Sequence, residues 1–486
     1  MEPSNHFDVL IIGAGLSGIG MACHLARECP HKRVAILERR GAIGGTWDLF
    51  RYPGVRSDSD MMTFGYRLRP WTEARVLADG PSIQAYVTQT ARAFGVDGQI
   101  RFGLRSTAAD WSGAQRRWTV TAVDEASGQT RRFSCGFLVA ATGYFNHDQG
   151  HRPDFAGVHD FKGRCIHPQH WPEGLDCRGR RVVVIGSGAT AVTLVPALAA
   201  LGAHVTMLQR SPGYVFSLPE IDQAAVVLKR FLPEGWVHAL LRGRNIFLQR
   251  SIYKLSRRFP GLLRRLLLGA ARRQLGPGFD MAHFTPSYSP WDQRLCVVPN
   301  GDLFKVLREG RASVVTGQIQ RFTATGILLT SGATLDADIV VTATGLQLQT
   351  LGGMALAVDG QPVSIGDRMT YKGVLVQDLP NFATLFGYTN ISWTLKIDLA
   401  AEYVCRLLND MARRGVDVVT PRAPQGETQD ESILSSLQAG YVQRGDAVLP
   451  RQGRALPWRV LHHLEHDRRM FRQPIDDTAL EWSRAA

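Results

Sequence analysis

The sequence predicts an α/β protein with two Rossmann-like dinucleotide-binding domains and a helical insertion in the second. Three observations predict it. A strand, a glycine turn and a helix follow one another from residue 7, and the same order recurs from residue 182. An apolar strand ending in Ala-Thr-Gly lies downstream of each unit, at 137–143 and at 339–345. The chain has 486 residues, more than one hydrophobic core supports, since single cores stop growing at roughly 250–300 residues.

The first strand is Phe7-Asp8-Val9-Leu10-Ile11-Ile12, which runs into Gly13-Ala14-Gly15-Leu16-Ser17-Gly18. The spacing is GxGxxG. Gly13 permits the tight turn, Gly15 lets backbone approach a pyrophosphate, and Gly18 lets the helix pack close to the sheet. A helix over Leu16 to Glu28 aims its N-terminus at the phosphates. The next strand, Val34 to Leu37, ends at Glu38, where a carboxylate binds ribose hydroxyls. GxGxxG alone is a weak signal; with strand, helix and terminal acid in order it is strong.

The second unit starts at Val182 to Ile185 and turns through Gly186-Ser187-Gly188-Ala189-Thr190-Ala191-Val192. Ala191 replaces the third glycine, which the pattern allows. Its next strand, His204 to Leu208, ends in Gln209-Arg210-Ser211 instead of an acid. An acid repels a 2′-phosphate, whereas an arginine beside a hydroxyl binds it by charge-assisted hydrogen bonds. The first turn therefore takes a cofactor with a free ribose and the second takes NADPH. The Ala-Thr-Gly ends let a neighbouring chain or cofactor come close. Together these features describe a two-dinucleotide flavoprotein, with FAD in the first site.

Composition narrows the class. Apolar residues make up 44% and charged residues 20%, which excludes a wholly disordered chain. The 7 cysteines are scattered and form no CxxC, so a disulfide reductase is excluded and a reducing cytosol is expected. No basic segment followed by an apolar stretch opens the chain, so no signal peptide is expected. Val182 to Gln209 and Ile339 to Val358 are long enough for membrane spans. Each is interrupted by a glycine turn and reads as buried core. The net charge is +13. Residues 223–275 hold twelve basic side chains and one acid, Glu234, and account for most of it. No nucleic-acid motif accompanies them. They read as a helical insertion whose basic face meets solvent, a membrane surface or another subunit.

Two further stretches carry chemistry. The first is Gly44-Gly45-Thr46-Trp47-Asp48-Leu49-Phe50-Arg51-Tyr52-Pro53-Gly54-Val55-Arg56-Ser57-Asp58. The second is Phe161-Lys162-Gly163-Arg164-Cys165-Ile166-His167-Pro168-Gln169-His170-Trp171-Pro172. They resemble the two fingerprints of the Baeyer–Villiger flavin monooxygenases, Gly-Gly-x-Trp-x4-Tyr-Pro-Gly-x3-Asp and Phe-x-Gly-x3-His-x3-Trp-Pro, at every defining position. Related N- and S-oxygenating flavin monooxygenases usually carry Tyr or Phe where this chain has Trp171. The resemblance runs nearly end to end. Arg51 to Asp60, Ser289 to Cys296 and Gly387 to Asn390 are similar to the ethionamide-activating branch.

The resemblance implies that NADPH reduces FAD and that a C4a-peroxyflavin attacks a ketone, giving an ester or lactone. A fixed cation must then stabilise negative charge. By resemblance it is Arg294, oriented by Asp58. Gly45, Thr46, Trp47, Asp48, Leu49, Asp58 and Ser106 are implied at FAD, and Arg56 and Ser57 at NADPH. Other members have Lys-Arg where this chain has Gln293-Arg294, so one positive charge near NADPH is missing. His167 is implied as a tie between domains and not as a base. Its neighbours His147, His151, His159 and His170 suggest zinc, but prolines and glycines break any helix that would present them together, and no metal is expected. Trp393 and Asn390 are candidate pocket residues.

The expected division is 1–158 plus 354–486 for FAD and 159–353 for NADPH, with the insertion at about 215–285. The expected partners are O2 and a hydrophobic ketone or sulfide, with no nucleic acid. The expected location is the cytoplasm, and solvent, a membrane surface and another subunit all stay open as what the basic segment meets. The competing enzyme class is a flavin monooxygenase acting mainly on sulfur or nitrogen.

Overall fold

The computed structural model describes residues 5–293, 295–388, 390–424, 426–427, 430–435, 440–475 and 478–484. The chain opens with β1 (His6–Ile12), α1 (Leu16–Glu28) and β2 (Val34–Leu37). Three longer strands follow: β3 (Leu104–Ser112), β4 (Arg117–Asp124) and β5 (Thr130–Ala140). They form an antiparallel meander whose last strand returns beside β1 in parallel, with Val9 opposite Phe137 and Ile12 opposite Ala140. The resulting sheet has 11 strands. Leu10, Ile11, Leu138 and Val139 are fully buried, because both faces of the parallel part are covered.

β6 (Phe145–Gly150) leaves this sheet, and β7 (Arg164–Ile166) enters the second. There β8 (Arg181–Ile185), α2 (Ala189–Ala200) and β9 (His204–Gln209) repeat the opening unit. Then come α3 (Glu234–Arg258), α4 (Pro260–Leu275), β10 (Ala312–Thr316) and β11 (Ile339–Thr342). The second sheet is five-stranded, in the order β10-β9-β8-β11-β7, and every pair is parallel. The apolar stretches from Val182 and from Ile339 lie inside it. Among the described residues no helix is long and apolar enough to cross a membrane.

The chain returns through β12 (Leu346–Leu348), which pairs antiparallel with β6. The two connections between the sheets therefore run side by side as a ribbon. β13 (Phe382–Thr384) then adds to β5 in the first sheet. α5 (Thr394–Arg414) packs on α1, and α6 (Leu464–Arg472) packs on α5.

The helical insertion is broken between α3 and α4. Phe259 has φ −134° and ψ 63° and ends α3. A residue before proline is pushed out of the helical region, and proline then starts the next helix without a missing donor.

Candidate functional site

The first glycine turn, the end of β2 and the Ala141-Thr142-Gly143 turn converge on one cleft of about 1390 Å3, mouth included. Gly13, Gly15, Ser17, Glu38, Gly45, Thr46, Trp47, Asp58 and Ser106 line it. Gly13 has φ +103°, and a Cβ there would sit 2.8 Å from the Ala141 oxygen. A Cβ on Gly18 would sit 1.8 Å from the Gly13 oxygen. Gly18 therefore seats α1 against the turn and does not line the cleft. A Cβ on Gly15 would face Gly45 at 3.6 Å, so two glycines leave bare backbone along the floor.

Glu38 is buried. Its carboxylate accepts the Ala14 N–H at 2.6 Å and the Arg40 N–H at 2.8 Å. Burial raises its pKa, against the lowering effect of these donors and the Arg40 charge. Ser106 Oγ is buried at the cleft wall and has no hydrogen-bond partner. An unpaired buried hydroxyl is costly, and a ligand polar atom removes that cost. Bare glycine backbone, a fixed carboxylate at the strand end and a waiting hydroxyl fit a flavin dinucleotide.

An aromatic wall completes the cleft. The Trp393 indole donates to Ser17 Oγ at 2.9 Å and stacks on Tyr144 with ring centroids 5.3 Å apart. Tyr144 lies 4.2 Å from the Phe145 ring centroid, and Trp47 meets Phe64 edge-on at 5.9 Å. Tyr144, His147 and Leu351 also line the cleft, and the sequence reading did not single out Tyr144 or Leu351 for it. The Ala-Thr-Gly turn directly before Tyr144 was the available signal. Burial pushes His147 down to about 4. Asn390 is not in the lining; its amide donates to the His462 carbonyl at 3.1 Å.

Several other expected residues, Asp58 excepted, lie apart from the cleft. Asp48 is buried and holds Arg40 at 2.5 Å, Arg51 at 2.9 Å and Gln84 at 2.8 Å. Leu49 packs in the interior. Asp48 fixes the fingerprint loop and is fully engaged in doing so. Arg56 pairs with Asp302 at 2.6 Å. Ser57 Oγ closes a local turn with Ser59 at 2.9 Å. Asp58 is exposed at the cleft mouth. Arg294 lies outside the described residues.

The first fingerprint also touches the second unit. Gly54 has φ +77°, and a Cβ there would lie 2.7 Å from Ala197 on α2. Tyr52 is buried, which pushes its phenol up to about 12. The second turn repeats the sterics of the first: Gly186 has φ +139°, and its Cβ would meet the Ala343 oxygen at 2.4 Å. Ser187 Oγ donates to the Ser211 carbonyl at 3.1 Å. Gly188, Ala189, Arg210 and Ser211 are exposed, Thr190 is half-buried, and Ala191 and Val192 are buried in the helix face. An exposed glycine at a helix N-terminus and an exposed arginine at the end of the neighbouring strand fit a phosphate.

In the second fingerprint, Phe161 is buried against Phe322 at 6.0 Å, and a Cβ on Gly163 would lie 2.4 Å from the Asp338 oxygen. Trp171 packs on the core of the second unit and Pro172 is half-buried beside it. His167 is buried. Its Nε2 lies 3.1 Å from the Gly345 carbonyl, and its Nδ1 accepts the Gln169 N–H at 3.2 Å. These partners assign the proton to Nε2. Burial pushes the ring down to about 4. Among the described residues no group of three His, Cys, Asp or Glu side chains is placed to hold a metal ion.

Residues 7–230 match the model of the pyridine nucleotide-disulphide oxidoreductases. The chain is 58% identical to a putative FAD-containing monooxygenase, MymA, of Mycobacterium tuberculosis, over 99% of both chains. It is 50% identical to the FAD-containing monooxygenase EthA of Mycolicibacterium smegmatis, over 99% of this chain and 98% of that one. Its fold is similar to that of an oxidized steroid monooxygenase bound to NADP, with TM-score 0.79 and 22% identity over 99% of this chain and 100% of that one. With such identity along its whole length, this chain belongs to the FAD-containing, class B flavin monooxygenases, enzymes that act on O2 and an organic substrate.

Proposed function

We propose that this chain is an NADPH-dependent Baeyer–Villiger monooxygenase of hydrophobic ketones, with oxygenation of sulfides as a side activity. One ketone, one O2, one NADPH and a proton give one ester or lactone, water and NADP+. The observation that carries the reading is the complete second fingerprint, Trp171 included, packed on the core of the second unit. Bound FAD, once reduced by NADPH, supplies the activation of O2.

The residues around it bind, orient and exclude water. Gly13, Gly15, Glu38, Gly45 and Ser106 hold the flavin dinucleotide. Arg210 and Ser211 hold the 2′-phosphate beside the turn at Gly186 to Ala189. Trp393 and Tyr144 close the cleft with aromatic surface. Arg294 supplies the cation that stabilises negative charge on the reacting oxygen, and Asp58 orients it. Residues 1–158 with 354–486 form the FAD part, and 159–353 form the NADPH part with the insertion at about 215–285. The pairing of β6 with β12, where the chain leaves the first sheet and returns to it, supports this division. A cytoplasmic location with the basic segment at a membrane belongs to the same reading.

Product analysis with a phenyl ketone and a thioether tests it. Ester from the ketone is expected. Sulfoxide without any ester would assign the enzyme to the S-oxygenating class instead. Arg294→Ala is expected to keep FAD and NADPH oxidation and lose ester formation; retained ester would remove Arg294 from its role.

A further inference from the structure

Exposed apolar side chains are concentrated in one segment of this chain. Of the eighteen large hydrophobic residues exposed among those described, eleven lie between Phe231 and Leu266. Trp236 and Phe247 are each 68% exposed, and Leu240 lies between them on the same side of α3. Leu255, Phe259, Leu262 and Leu266 carry the surface across the break onto α4. A soluble surface rarely gathers so much apolar area without an occupant.

Cations are interleaved with it. Arg230, Lys254, Arg258, Arg265 and Arg272 are exposed and form no ion pair with a carboxylate among the described residues. Other cations of the segment are tied inward. Arg244 bonds Asp222, Arg250 bonds Glu465 at 2.8 Å, and Arg257 bonds Asp292 at 2.8 Å. Two populations of arginine thus share these helices: one holds the fold and the other faces outward.

The opposite side of α3 reaches the cleft. Arg242 donates to the carbonyls of Met62 at 2.9 Å and Gly65 at 2.8 Å. Ile246 packs with Tyr388 and Leu395, and Tyr388 lines the cleft. One helix therefore has its outer side chains exposed and its inner ones against the cleft wall.

We propose that the outer face of α3 and α4 docks on a bilayer rich in anionic lipid, with Trp236, Leu240 and Phe247 entering the headgroup boundary. This deepens the membrane part of the proposed function and does not depend on the chemistry at the flavin. Apolar side chains ringed by unpaired cations complement an anionic interface. A second copy fits less well, because a two-fold contact would oppose cation to cation with Glu234 as the only acid of the segment. A nucleic acid would leave the apolar side chains without a partner. The docked helix would place the cleft wall at the phase in which hydrophobic substrates dissolve.

Sedimentation of the full-length holoenzyme with vesicles tests the proposal. Binding is expected to vesicles with roughly one-third phosphatidylglycerol in phosphatidylcholine, and each cation replaced among Lys254→Gln, Arg258→Gln and Arg265→Gln is expected to weaken it about fivefold. Trp236→Ser with Phe247→Ser is expected to weaken it at least about tenfold. All variants should keep bound flavin and turnover of a water-soluble ketone, which separates this test from that of the chemistry. Equal binding to neutral and anionic vesicles, no binding to either, or a dimer in light scattering that these substitutions dissociate would each overturn the proposal.

Discussion

Glu38 and Arg210 stand at equivalent strand ends and have opposite surroundings. Glu38 is buried and accepts two backbone N–H groups, so its direction is set before any ligand arrives. Glu38→Ala should therefore leave two donors unpaired and weaken FAD retention by about tenfold or more, read as flavin lost on gel filtration. Arg210 is exposed, and the use proposed for it is a charge-assisted hydrogen bond to a 2′-phosphate. Arg210→Ala should raise KM for NADPH about 10–100-fold and leave that for NADH nearly unchanged. An equal rise for both would remove the phosphate role. At this scale the sequence was informative where chemistry and position coincide, as at Glu38 and the glycines. It was uninformative about Tyr144, because only the pairing of distant strands brings that ring opposite Trp393.

Among the elements, the two strand–turn–helix units were legible because their signals are local. The observed β1, α1 and β2 start and end within a residue of the expected spans. The antiparallel meander of β3, β4 and β5 was not read, since its register comes from long-range pairing. The contact of Gly54 with α2 was equally invisible, as no local pattern encodes a close approach between units. Gly18→Val should abolish FAD binding, because the turn cannot yield 1.2 Å or more of backbone overlap; flavin absorbance after purification checks this. The C-terminal helix is tied by a buried network. The Tyr388 hydroxyl donates to Asp467 Oδ2 at 2.7 Å, and Lys396 Nζ lies 3.5 Å from the same oxygen. Burial lowers the Lys396 pKa, against the pull of Asp467. Asp467→Ala should cost about 3–5 kcal/mol, since it leaves a buried cation unpaired, and thermal unfolding measures it.

For the whole molecule, four buried or half-buried histidines set the response to acid. Burial pushes His147, His167, His238 and His462 each down to about 4. Between that value and the ordinary 6.5 the unfolded chain binds more protons than the folded one, so stability rises with pH there. Their contribution is present above about 6.5 and is lost as pH falls towards 4. His24 runs the other way: burial opposes its charge, but Asp398 and Glu28 raise its pKa, so its contribution is lost as pH rises. The balance predicts a Tm that falls steadily from pH 7 to pH 5, and a shallower fall in His167→Gln. A flat profile would contradict the assignment. The surplus of positive charge, the first whole-chain property visible in the sequence, is concentrated in residues 223–275, partly tied into the fold and partly exposed. At the reacting centre the proposed reaction puts one atom of O2 into the ester. It is tested most directly by turnover of a phenyl ketone with NADPH under 18O2. One labelled oxygen in the ester per NADPH consumed is the predicted result; NADPH consumption with no labelled ester, while a thioether is still oxygenated, would contradict it.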